Sequence, residues 1–246
     1  MRSCIQFCFL RSVTFGYPAQ VIAKLTYALL FLVLIPLARA EAPATPKQSQ
    51  WEAEIAAFER ADQTNPPPKH PILFVGSSSI RLWKTLAEDF KGYPVLNRGF
   101  GGSQISDCTA FCDRIVTPYQ PSVIFIYAGD NDVAAGHSAD QILRDFKEFT
   151  AAVRAKLPNT PMAFIAIKPS PARWEHIDTI KGANRLISEY VKSDKRLTYV
   201  DIFSKMLDAE GKPREELFIA DKLHMNAQGY AIWTEAIKAH LPGLKR

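Results

Sequence analysis

Cysteine is scarce in this chain, with four in 246 residues. No C-x-x-C pair occurs and no histidine lies close enough in sequence to complete a zinc-finger spacing, which excludes a zinc-ribbon class. No G-x-x-x-x-G-K-[ST] stretch is present. The one glycine cluster that resembles a dinucleotide fingerprint, Gly99-Phe100-Gly101, has Gln104 where a third small residue is required, so nucleotide-phosphate chemistry has no sequence support. Acidic residues are absent from positions 1–40, while Arg2, Arg11, Lys24 and Arg39 fall there. Setting those four aside leaves 26 basic against 25 acidic residues. The formal charge of +5 is therefore local, and the remainder carries no basic stripe of the kind that binds nucleic acid.

Also missing is an apolar run long enough to span a bilayer, which takes about 20 residues. Leu25–Ala38 provides 14, behind Lys24 and ahead of Ala38-Arg39-Ala40 and Glu41. A positive start, a short apolar centre and small residues at a cleavage position predict a secretory signal peptide over residues 1–40. A retained membrane anchor is the competing reading. The expected location is secreted or periplasmic. Only Cys108 and Cys112 remain after cleavage, either as two thiols on one helix face or as a strained local disulfide.

What is present is alternation. Residues 41–70 read as a Pro-containing linker and an amphipathic helix, Gln50 to Asp62, with Trp51, Ile55 and Phe58 at helical spacing. From residue 71 to 246 short apolar strands alternate with helices. Strands are expected at 72–75, 95–97, 122–127, 162–167 and 197–202. Helices are expected at 80–90, 105–115, 141–157, 177–191 and 226–240. Continuous rather than alternating apolar strands indicate a parallel sheet covered on both faces. The predicted fold is α/β, a three-layer α/β/α sandwich on a five-stranded parallel sheet. Its chemistry would gather at the carboxyl ends of the strands.

Four segments at those ends carry unusual residues: Gly76-Ser77-Ser78-Ser79, Asn97 to Gly102, Gly129-Asp130-Asn131-Asp132, and Asp221-Lys222-Leu223-His224. Acyl transfer needs a nucleophile, a base, a group that orients the base and donors for an oxyanion. Ser78 can attack, with Ser79 as fallback; Ser77 and Ser79 otherwise read as turn hydroxyls bonded to local backbone. Of the five histidines only His224 has a carboxylate three residues before it in a loop entering a helix. Asp221 can then orient it. The Ser78 and Gly102 N–H groups and the Asn131 amide can face the oxyanion. An α/β-hydrolase elbow, G-x-S-x-G, is excluded because Ile80 occupies its second glycine position.

In order and content these four blocks resemble the SGNH hydrolases, the GDSL-like esterase and acylhydrolase superfamily. The resemblance runs from about Ile72 to about Leu241. It implies a flavodoxin-like fold, a metal-free and cofactor-free serine mechanism with Ser78, Asp221 and His224 as triad, and an oxyanion hole shared by Ser78, Gly102 and Asn131. Ser77 departs from the family, which commonly has Asp before its serine. The expected activity is hydrolysis of a carboxylic ester, from a small molecule, glycan or lipid, through an acyl-enzyme. The alternatives are an acyltransferase on envelope glycans and a non-catalytic carbohydrate- or lipid-binding protein. Arg173 and Trp174, after the fourth strand, are candidate substrate contacts. No nucleic-acid or metal partner is expected.

Overall fold

The computed structural model describes residues 50–244. The expected signal peptide and most of the linker lie outside the described residues. Among the described residues no helix is long and apolar enough to cross a membrane.

The elements in chain order are α1 (Glu52–Thr64), β1 (Ile72–Gly76), α2 (Ser78–Arg81), α3 (Leu86–Asp89), β2 (Val95–Gly99), α4 (Ile105–Ala110), α5 (Cys112–Ile115), β3 (Val123–Tyr127), α6 (Asp130–Ala134), α7 (Ala139–Lys156), β4 (Met162–Ile165), α8 (Ile177–Val191), β5 (Leu197–Val200) and α9 (Ala227–Leu244). All five strands pair in parallel in the order β2-β1-β3-β4-β5. The expected α/β/α sandwich is therefore the observed one.

Two apolar cores, one on each sheet face, follow from the strand period of two. Leu73, Val75, Ile124, Ile126 and Phe164 face α1, α4, α5, α7 and α8. Ile72, Phe74, Phe125, Tyr127 and Ile165 face α2, α3 and α9. Helix α7 shows how the sequence makes an element. Ser138 Oγ accepts from the Gln141 N–H at 3.2 Å and starts it, and Ile142, Phe146, Phe149 and Val153 form its buried stripe.

Two expected helices are broken. Residues 80–90 split into α2 and α3, because Trp83 turns into the second core against Phe74, Phe90, Tyr230 and Trp233 while its indole N–H donates to Asp89 at 2.6 Å. Residues 105–115 split at Phe111 into α4 and α5. Cys108 and Cys112 are both free and buried. Burial pushes the Cys108 thiol well up and Cys112 to about 12, so both stay protonated and inert.

Helix α1 packs into the first core through Trp51 and Ile55. Three of its acids grip arginines of β2 and α5: Asp62 pairs with Arg98, and Glu52 and Glu59 with Arg114 at 2.8 and 2.7 Å. The Trp51 indole N–H donates to the Gly101 carbonyl at 2.7 Å. The N-terminal helix thus reaches the glycine loop at the end of β2.

Candidate active site

Register places three of the four unusual segments side by side. Gly76, the last residue of β1, is opposite Gly99 on one side and Tyr127 on the other. The chain after each strand therefore emerges at one edge of the sheet. Gly76 has φ +138°, and a Cβ there would stand 1.8 Å from the Tyr127 carbonyl oxygen. No residue with a side chain fits. Beyond it the Ser77 N–H donates to the same Tyr127 carbonyl at 3.0 Å, and the Phe100 N–H donates to Gly76 at 2.9 Å. The serine turn is fixed by backbone on both flanks.

The three serines separate by direction. Ser77 and Ser79 are buried, and Ser78 is half-buried. Ser77 Oγ has no hydrogen-bond partner among the described residues, and Ser79 Oγ lies 3.3 Å from the Lys168 ammonium. Neither bonds local backbone as the sequence suggested. Turning the chain into α2 at Ser78 sends the neighbouring hydroxyls inward and leaves the middle one facing out.

The fourth segment arrives from the opposite direction. Between Leu217 and α9 the chain forms a narrow hairpin-like loop, with a Phe218–Met225 bridge and an Ile219 N–H to His224 O bond of 2.9 Å. Asp221 organises its tip. One carboxylate oxygen accepts the Leu223 and His224 N–H groups, both at 2.9 Å; the other lies 2.6 Å from His224 Nδ1. Burial is the largest single influence and opposes its charge, but the hydrogen bonds from His224 and Leu223 together outweigh it and hold the carboxyl down at about 2. His224 Nε2 stands 2.8 Å from Ser78 Oγ. With a carboxylate at Nδ1 the proton belongs there, and Nε2 is left to accept from the serine hydroxyl. Ser78, His224 and Asp221, separated by up to 146 positions, thus form one hydrogen-bonded line.

The expected oxyanion donors share this edge. Ser78 opens α2, so its N–H has no preceding turn to donate to. Gly102 is exposed with φ +75°, a left-handed conformation that favours glycine, and nothing crowds the space above it. Asn131, in α6, donates through Nδ2 to the Ser103 carbonyl at 3.0 Å. That bond ties the amide to the Gly102 loop and leaves its second N–H available.

Beneath the serine turn lies a group the sequence did not announce. Lys168 is fully buried, its ammonium 2.5 Å from Asp130 Oδ2 and 3.0 Å from Tyr127 Oη. Burial alone would raise the Asp130 carboxyl, yet the Lys168 charge and hydrogen bond, aided by Arg173 and Tyr127, hold it below its usual range. Tyr230 Oη donates to the Ser79 carbonyl at 2.9 Å from the other side. The Lys168 backbone is positioned in turn by Asn184, which accepts the Ile167 N–H at 2.8 Å and donates to the Ile167 carbonyl at 2.9 Å. One signal could have found this pair: a lysine directly after an apolar strand needs a buried acid, and the Asp of the third segment was the nearest one by topology.

Arg173 and Trp174, the suggested substrate contacts, lie in a 3-10 segment, Pro171–His176. The segment is tied to the histidine loop by an Ala172 N–H to Lys222 O bond of 3.1 Å. Trp174 lines a cavity of about 380 Å³ with Pro171, Lys212, Pro213, Glu215 and Lys222. The Lys212 ammonium sits 4.9 Å from the centre of its ring. Arg173 turns its Nε inward, where it has no hydrogen-bond partner among the described residues. The structure brings Trp174 beside the triad loop and turns Arg173 toward Asp130 instead.

Comparison with known proteins agrees with this geometry. The family model for the GDSL-like Lipase/Acylhydrolase family matches residues 74–232. No curated protein sequence matches the chain. Among solved structures it is similar to a GDSL-like lipase from Bacteroides thetaiotaomicron VPI-5482, at 21% identity and TM-score 0.65, covering 79% of this chain and 97% of that one. It is also similar to a catalytic mutant of an acetylxylan esterase from Geobacillus stearothermophilus, at 13% identity and TM-score 0.57, covering 71% and 95%. At such identities the likeness is one of fold.

Proposed function

The chain belongs to the GDSL-like lipase/acylhydrolase family, and from that premise we propose that it is an exported serine esterase working through Ser78, His224 and Asp221. The observation that supports this reading is the continuous line from Asp221 through His224 to Ser78, with contacts of 2.6 and 2.8 Å.

Ser78 Oγ attacks the ester carbonyl carbon while His224 Nε2 takes its proton. The carbonyl oxygen becomes an oxyanion, received by the Ser78 and Gly102 N–H groups and the Asn131 amide. Asp221 keeps the imidazole in the required tautomer and stabilises its charged form. Collapse of the tetrahedral adduct breaks the ester C–O bond, and His224 returns its proton to the departing alcohol. Water, deprotonated by the same His224, then attacks the acyl-serine. The acid leaves and the Ser78 hydroxyl is restored. Trp174 and the cavity beside the histidine loop form the wall against which the alcohol or acyl part of a small-molecule, glycan or lipid ester rests, with Arg173 behind it.

Hydrolysis of p-nitrophenyl acetate by wild type and Ser78→Ala is the direct test. The variant should fold and lose turnover, and the wild type alone should be labelled by a fluorophosphonate. Unreactive wild type would point instead to a binding protein on the same fold. Acyl transfer to an added sugar, outpacing release of acid, would point to a transferase. Export is checked by N-terminal sequencing of the protein from its native host, which should begin at Glu41.

A further inference from the structure

Behind the Asn131 loop the chain gathers a second set of chemically active groups. Asp132, His137 and Asp145 each turn one ligand atom toward a common point, and those atoms all lie within 4.8 Å of one another. Asp132 is fully buried and Asp145 is 4% exposed. Asp132 Oδ2, His137 Nδ1 and Asp145 Oδ2 have no hydrogen-bond partner among the described residues. Two buried carboxylate oxygens without donors carry a large desolvation penalty that must be offset by something.

Away from the gap, the second oxygen of each carboxylate and the backbone of the histidine are engaged. Asp132 Oδ1 accepts the Ile105 N–H at 3.2 Å. Asp145 Oδ1 accepts from Gln141 Nε2 at 2.6 Å, and Gln141 is itself held by Arg144 at 2.6 Å. The His137 N–H donates to the Asp132 carbonyl at 3.0 Å across a left-handed turn at Gly136, φ +85°. Each carboxylate is thus fixed by one oxygen while the other faces the gap, which is how outer hydrogen bonds orient metal ligands, and the backbone bond sets His137 beside them. Among the described residues neither Lys nor Arg ion-pairs with Asp132 or Asp145. Across the gap His137 Nδ1 is 3.6 Å from Asp145 Oδ2, and the Asp130 carboxylate adds further negative charge beside Asp132.

We propose that Asp132, His137 and Asp145 form a divalent metal site, best suited to Zn²⁺, that is separate from the esterase triad. Two carboxylates and a neutral imidazole supply two negative charges, which balance the ion. One nitrogen and two oxygens leave a fourth tetrahedral position for water, and His137, 30% exposed, gives the ion a way in. Around zinc, with bonds of about 2.0–2.2 Å, tetrahedral ligand atoms stand about 3.3–3.6 Å apart. The His137–Asp145 separation already meets that spacing. The ion would clamp α6 to α7, and through Asp132 Oδ1 it would also brace the start of α4. The role is structural, since no reacting atom of the triad touches these residues. The linear pattern, with spacings of five and eight, matches no common ligand motif, and nothing in the order of residues announces it.

The test is metal binding by full-length protein stripped with EDTA. Zn²⁺ and, in parallel, Mn²⁺ are titrated by calorimetry, and the metal retained after desalting is measured by mass spectrometry. One zinc per chain is expected. His137→Ala and Asp145→Asn should lose it, whereas His224→Ala should keep it and so exclude the triad as the binding site. Zinc at a hundredfold excess over its Kd should raise the wild-type melting temperature by about 5–10 °C and leave His137→Ala unmoved. Should Asp145→Asn fail to fold, His137→Ala decides alone, because its side chain is partly exposed. Wild type that retains neither ion, or His137→Ala that binds zinc as tightly as wild type, overturns the proposal.

Discussion

The serine turn and the histidine loop meet across 2.8 Å but are built on opposite principles. The turn after β1 is buried, flanked by strands on both sides, and floored by the Lys168–Asp130 pair and Tyr230. The loop from Phe218 to Met225 has an exposed tip whose shape is set by Asp221, which caps two backbone N–H groups and seats the imidazole, while backbone bonds and Asn226 hold its base. One half owes its position to the core and cannot be altered without cost to the fold. The other is a surface feature whose alteration should touch chemistry and leave the fold intact. Stability and activity are therefore expected to respond separately to substitutions in the two regions.

His224→Ala gives the largest expected separation. Loss of the base should lower kcat by about 10³–10⁶-fold, while the denaturation midpoint moves little, as for most exposed substitutions. A large stability loss in that variant would break the comparison. Lys168→Met tests the opposite half. It leaves the Asp130 carboxylate buried and unpaired, at an expected cost of about 3–5 kcal/mol in urea unfolding. Adding Asp130→Asn should recover part of that loss, and a wild-type midpoint for Lys168→Met alone would show that the floor is dispensable.

Asn131→Ala sits between the two. Removal of one oxyanion donor should lower kcat by about 10²–10³-fold with KM little changed, measured on p-nitrophenyl acetate. A pure KM effect would assign Asn131 to substrate binding instead. The smallest effect concerns pH. Asp221 is held at about 2, so its carboxylate stays ionised far below neutrality. Titration of Asp221 should then add no inflection to the rate profile above pH 4. The folded-state value lies below the ordinary 3.8, so the stabilisation is present above that value and fades as pH falls toward 2. Because Asp221 is 43% exposed, screening reduces this to less than about 1 kcal/mol. Acid unfolding of Asp221→Asn against wild type measures it.

The same division explains what could be read from the sequence. The strands were legible because burial on both sheet faces makes them continuous apolar runs; their ends located the segments that carry Ser78, Gly102 and Asn131, and the loop before the last helix located His224. Boundaries were less so. Whether residues 80–90 form one helix depends on where Trp83 finds its aromatic neighbours, and two of those, Tyr230 and Trp233, belong to the last helix, far along the chain. The Lys168–Asp130 pair was hidden for a related reason: it joins the ends of two strands and has no spacing of its own. Ser77 and Ser79 looked like turn hydroxyls bonded to local backbone, and only the direction of chain entry into α2 turns them inward.

Helix α1 lies before the span matched by the family model, residues 74–232, yet its indole holds the Gly101 carbonyl next to the expected oxyanion donor. An expression clone trimmed to the family boundary would therefore lose part of the fold. It would bare an apolar face and release the loop that aims Gly102, so such a fragment should be designed to start upstream of Trp51.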